Sequence, residues 1–175
     1  MVNSLSEKLT VHCESLARLW IKKVRKAENL KTYNALSDDE LVRINSRIYK
    51  TLALWFDKEI DKNAIGAFFV TIGKERRKQG FAISEVSYAL FLSQKAVQEY
   101  IANENLLDNS MALYTIMGLS SQVADFFYLG SYYMVKGYLE DTYIAIQKNE
   151  AMSDEKLRKY FSDDFFFKDI DREHS

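Results

Sequence analysis

From Asn109 to Lys148 the chain runs for roughly forty residues with an apolar or small residue at every third or fourth position. Tyr114, Met117, Ser121, Ala124, Tyr128, Tyr132, Val135, Leu139, Tyr143 and Ile146 keep the spacing that lines one face of an α-helix. At 1.5 Å rise per residue such a helix is about 60 Å long, twice the diameter of a small domain. One domain cannot cover it. Part of its surface is therefore expected to meet a second copy of the chain or another partner. Gly118, Gly130 and Gly137 interrupt it, each at a cost of about 1 kcal/mol against alanine. Close approach of another helix, or a kink, would account for them. Asp125 falls within the stripe beside Tyr128 and is expected to accept a hydrogen bond from a tyrosine hydroxyl.

The rest of the chain is equally permissive of helix, since it contains no proline to remove a backbone donor. A first helix is predicted from Ser4 to Asn29. Ser4 and Glu7 form a capping box, and Leu5, Leu9, Cys13, Leu16, Trp20 and Val24 form the apolar stripe. Its last turns carry Lys22, Lys23, Arg25 and Lys26, which complement the negative end of the helix dipole or would bind an anion. Ser37 and Glu40 open a second helix reaching about Glu59, with Leu36 and Leu41 as a hydrophobic staple. Asp61 caps a third that ends near Gln79, and Gly80 stands where a left-handed C-cap belongs. Ser84 is read as the cap of a fourth helix, Glu85 to about Ala102. The long helix is the fifth, and Ser153 opens a short sixth.

Strand signals are nearly absent, and no linker or repeat divides the chain. The fold expected is all-α, a bundle of five to six helices with a long C-terminal helix. Residues 1–161 form a single domain in this reading. Residues 162–175, with Phe165, Phe166 and Phe167 among dense charge, form a tail expected to be poorly ordered unless the phenylalanines dock. A formal net charge of −1 gives no general affinity for nucleic acid or an anionic membrane. The single cysteine, Cys13, precludes an internal disulfide and suits a reducing compartment. The opening residues lack the apolar stretch of a secretion signal, and the longest apolar run, Ala64 to Gly73, is about half of what spans a bilayer. A cytoplasmic location is expected.

Catalytic signatures are missing: there is no phosphate-binding glycine loop, GxSxG, HExxH or CxxC. His12 lies one turn from Leu9 and Leu16, on the side expected to be buried, with no second histidine or cysteine at ligand spacing; a core or boundary role is the expectation. Cys13 beside it points about 100° around the helix and lacks a base. Arg76 continues the apolar row Ile65, Phe69 and Ile72, so its head should lie at the core edge and need a partner; Glu85 is the candidate. Arg76, Gln79, Gly80, Phe81 and Glu85 thus read as a clasp fixing the helix turn, or as an anion-binding corner.

On those five residues the chain resembles the N-terminal domain of RsbRD-type co-antagonists of the switch kinase RsbT. Trp20 in an early helix, the leucine-bearing helix after Asp38-Asp39-Glu40, and the aromatic helix running to Gly137-Tyr138-Leu139-Glu140 agree in outline, so the likeness covers Leu16 to Glu140. The resemblance implies an all-helical, often dimeric input domain placed ahead of an output domain in bacterial stress-response or two-component signalling. Related input domains include globin-like ones without haem. Nothing after Glu140 is long enough for a STAS or kinase domain, so a free-standing input domain or a piece of a longer protein is expected.

The leading expectation is a non-catalytic signalling module without a cofactor, dimerising along Tyr128, Tyr132, Val135 and Leu139 and acting through a protein partner. The alternative is a sensor or carrier of a small hydrophobic ligand or haem, with its pocket near His12, Trp20 and Tyr128.

Overall fold

A computed structural model describes residues 5–103, 110–148 and 153. Seven helices occupy the described residues, and no strand does: α1 (Leu5–Val11), α2 (Cys13–Lys26), α3 (Lys31–Asn34), α4 (Asp38–Phe56), α5 (Lys62–Lys78), α6 (Ile83–Asn103) and α7 (Ser110–Gln147). The all-α bundle with a long last helix is thus the architecture found. α7 has 38 residues, about 57 Å at the usual rise.

Local chemistry explains most of the boundaries. The Ser37 hydroxyl accepts from the Glu40 amide at 3.3 Å, while a Glu40 carboxylate oxygen accepts from the Ser37 amide at 2.9 Å. This closes the capping box expected at the start of α4. The Asp61 carboxylate accepts from the Ala64 amide at 2.8 Å and starts α5. At the other end of α5, Gly80 takes φ = 80°. The Phe81 amide then donates to the Arg76 carbonyl (3.1 Å) and the Gly80 amide to the Arg77 carbonyl (3.0 Å), satisfying carbonyls the helix would leave bare.

Elsewhere the expected boundaries are corrected. The first helix is two, divided at His12 (φ −100°, ψ 11°), although neither proline nor glycine is there. The bend lays α1 on α4 while α2 packs on both α4 and α6, so Leu9 and Cys13 are both buried. α2 stops at Lys26 instead of Asn29, and α3 adds a turn that periodicity could not reveal in four residues. α4 stops at Phe56 instead of Glu59, ahead of Lys58 with φ = 57°. α6 begins at Ile83, so Ser84 lies inside the helix and is not its cap. The helix expected after Ser153 and the 162–175 tail lie outside the described residues.

Among an otherwise mainly aliphatic core, the large side chains of Trp20, Tyr49, Phe69, Phe126, Phe127 and Tyr138 are all fully buried. α7 packs chiefly on α5 and then on α6. Glycines make the α5–α7 crossing close. A Cβ on Gly73 would overlap the Met134 carbonyl, and one on Gly137 the backbone of Val70. One on Gly130 would come within 2.6 Å of the Phe69 ring. Close helix approach therefore explains Gly130 and Gly137, whereas nothing lies within 4 Å of a Cβ at Gly118.

Candidate functional site

The turn between α5 and α6 gathers all five residues of the expected clasp. Arg76 is buried, its guanidinium donating to the Gln79 side-chain carbonyl at 2.6 Å and lying 5.4 Å from the centre of the Phe81 ring. The direct Arg76–Glu85 pairing is corrected. One Glu85 carboxylate oxygen accepts instead from the Thr32 amide (2.9 Å), pinning the start of α3, and the other is buried without a hydrogen-bond partner. Tyr33 completes the cluster: its ring meets Phe81 edge-on at 4.7 Å and its hydroxyl bonds to Arg76. Burial pushes the Tyr33 hydroxyl up to about 12, against the opposing pull of the Arg76 guanidinium.

Outside this clasp is a cleft of about 450 Å³, between α3, α4 and the end of α5. Three guanidinium groups, from Arg43, Arg47 and Arg76, and two carboxylates, Glu40 and Glu75, line it together with Leu36, Ile44 and Phe81. Both carboxylates are engaged. Glu75 accepts from Arg47 at 2.9 and 3.4 Å. Glu40 belongs to the capping box, and the Ser37 amide and hydroxyl hold it below the usual carboxylate range. Sequence reading missed Arg43 and Arg47; their spacing of three and seven residues from Glu40 along α4 was the available signal.

A second feature is the ion pair between Arg77 and Asp141, at 3.2 Å with side chains 8% and 11% exposed, which joins α5 to α7. It too was missed, although Asp141 stands seven residues after Met134 on the buried phase of α7. That phase is Val123, Phe127, Gly130, Met134, Gly137, Asp141 and Ala145.

The stripe read from the sequence is the opposite, outward phase. Tyr128 is 67% exposed, Tyr132 63% and Tyr143 60%, with Leu139 and Ile146 about half exposed and Val135 intermediate. Tyr132, Val135, Leu139 and Tyr143 line one shallow groove, flanked by Lys136 and Glu140.

His12, Trp20 and Tyr128 are not brought together. Trp20 is core, its indole N–H donating to the Ala89 carbonyl at 2.9 Å. His12 is exposed at the α1–α2 bend, 6.1 Å from the Tyr100 ring, because the bend turns it out of the buried phase. Tyr128 borders a cavity of about 400 Å³ with Trp55, Lys62 and Asp125, in which neither of the other two takes part. Asp125 is exposed there. Two residues of the basic run ending α2 are also committed: Arg25 donates to the Asn34 and Leu36 carbonyls and pairs with Asp38 at 2.7 Å, while Lys23 pairs with Glu99.

No described cluster of His, Cys, Asp and Glu has metal-binding geometry, and no described helix is long and apolar enough to cross a membrane. No protein-family model, curated protein or solved structure matches the chain.

Proposed function

We propose that this chain is a non-catalytic regulatory module, an input domain of the RsbRD type in bacterial signalling, that pairs with a second copy of itself through the outer face of α7. The observation that carries the reading is the exposure of Met117, Tyr128, Tyr132, Leu139, Tyr143 and Ile146 along one helix face. From Met117 to Ile146 that face extends about 44 Å. Its apolar part is densest from Tyr128 to Ile146. Exposed apolar surface of this kind marks an interaction site in a folded protein, and tyrosine is favoured at interfaces because its ring is apolar and its hydroxyl wet.

A second copy fits the face better than an unrelated partner does. A two-fold interface uses the same patch on both subunits and must be self-complementary. Lys136 and Glu140, one turn apart on the flank of the groove, offer opposite charges for such a pairing, with Glu140 also paired to Lys74 of its own chain at 3.3 Å. An antiparallel pairing centred between them brings Lys136 of one copy to Glu140 of the other. Signalling then consists of a shift between two packings of the paired helices, with a cytoplasmic output protein reading the difference.

The test is native mass spectrometry with sedimentation velocity on the wild type and Tyr132→Asp. The expected result is a dimer that becomes a folded monomer on substitution, since Tyr132 is exposed in the single chain. A wild-type monomer at all concentrations, or a dimer indifferent to Tyr132→Asp, overturns the reading.

A further inference from the structure

The cleft beside the clasp has a composition that the pairing of α7 leaves unused. We infer that it is a binding site for a small organic anion, a carboxylate or phosphate monoester carrying an apolar or aromatic body. The inference stands independently of pairing, because the cleft is formed by α3, α4 and α5 of one chain.

Charge is the first argument. Three guanidinium groups face two carboxylates, and each carboxylate already has its partner: Glu40 in the α4 cap, Glu75 on Arg47. Arg43 is exposed and has no carboxylate within ion-pair distance among the described residues, although its charge acts through space on Glu40. Helix formation does not require a charge at that position, so the field in the cleft is left with a positive excess. An anion entering it finds Arg43, with Arg47 and the buried edge of Arg76 behind.

Preorganisation is the second. Arg76 is held by Gln79 and Tyr33 and stacked on Phe81, so its fork is fixed before any ligand arrives. A fixed guanidinium loses less freedom on binding an oxyanion than a lysine would. Size and lining are the third. About 450 Å³ lies within the range of small-molecule sites and exceeds what an inorganic ion fills. Leu36, Ile44 and Phe81 supply apolar wall for the remainder of the molecule.

Isothermal titration calorimetry with phenyl phosphate, benzoate, inorganic phosphate and neutral phenol tests this. The variants are Arg43→Gln, Arg43→Lys and Arg18→Gln; Arg18 is an exposed residue outside the cleft. Phenyl phosphate or benzoate is expected to bind more tightly than inorganic phosphate, with no heat from phenol. Arg43→Gln should weaken binding about tenfold, the loss of one charge-assisted contact. Arg43→Lys should recover part of it, and Arg18→Gln should change nothing. The relative strength of the two aromatic anions identifies the head group preferred. Absence of binding by both overturns the inference, as does phenol binding as well as benzoate, or equal affinity in Arg43→Gln. Since Arg43 is exposed, its variants keep the fold, which circular dichroism on the same samples verifies. A monomeric wild type that binds the anions would sink the pairing proposal alone, and a dimer that does not bind them would sink this one alone.

Discussion

Tyr33 and Tyr49 are sealed from water, and both hydroxyls are satisfied inside, Tyr33 by Arg76 and Tyr49 by the Ser93 carbonyl at 3.2 Å. Burial raises both above the ordinary tyrosine value of about 10, Tyr33 to about 12. In the window from about pH 10 to 12 the unfolded chain loses a proton from Tyr33 that the folded chain retains. The stability linked to this group is full below pH 10 and declines as pH rises through the window. Urea titrations at pH 9 and at pH 11 should therefore show a marked loss of stability at the higher value, with a smaller loss in Tyr33→Phe. Equal losses in the two proteins would mean that Tyr33 is not sealed. Ion pairs differ in the same way with burial. Asp141→Ala removes one carboxylate partner of the buried Arg77 and is expected to cost about 3 kcal/mol. Glu99→Ala, which removes the exposed partner of Lys23, is expected to cost under about 1 kcal/mol. Chemical denaturation of the two variants side by side checks the ranking.

At the scale of the helix, α5 and α7 are held by small residues as much as by large ones. Gly73→Ala and Gly137→Ala each force a methyl into backbone of the facing helix, and neither backbone can rotate aside. A loss of about 2–3 kcal/mol is expected from each, in the range of overpacked cores. Gly118→Ala meets nothing and gains helix propensity, so it should raise stability by up to about 1 kcal/mol. Thermal melts of the three variants distinguish close approach from a hinge, because a hinge glycine would tolerate alanine at position 137. This contrast marks how far the sequence was readable. Starts and stops written in short-range chemistry were legible: the Ser37–Glu40 box, the Asp61 cap and the Gly80 turn all occur where the residues placed them. The bend at His12 was not, because it serves the packing of α1 and α2 on different neighbours and leaves no local trace. Nor was the buried face of α7. Its two opposite phases are both apolar, so periodicity finds a helix there without saying which side is core. The clasp was legible as a set of residues, but its wiring was not; Thr32 and Tyr33 enter it from a four-residue helix some forty positions away.

Taken as a whole, the molecule is built around a helix with two apolar sides, one spent on its own chain and one left outward. The inward side carries the specific interactions: the glycine contacts, the Arg77–Asp141 pair, and the bond of 2.7 Å from the Tyr138 hydroxyl to the Phe81 carbonyl that ties α7 to the clasp. The outward side has exposed tyrosines and aliphatic residues, with a bond from the Gln147 side-chain amide to the Tyr143 hydroxyl at 2.6 Å within the helix itself. If a second copy covers it, folding and pairing are linked by mass action, since association stabilises the folded state in proportion to the logarithm of concentration. The melting temperature should then rise by several degrees when the protein is concentrated a hundredfold, the equivalent of about 1–3 kcal/mol per chain for a molecule of this size. Tyr132→Asp should abolish the concentration dependence while leaving the melting temperature at high dilution nearly unchanged, because the side chain it replaces is 63% exposed in the single chain. Differential scanning calorimetry across that range, on both proteins, separates the two roles of α7. A wild-type transition independent of concentration would place the outward face in solvent, and pairing would have to be given up.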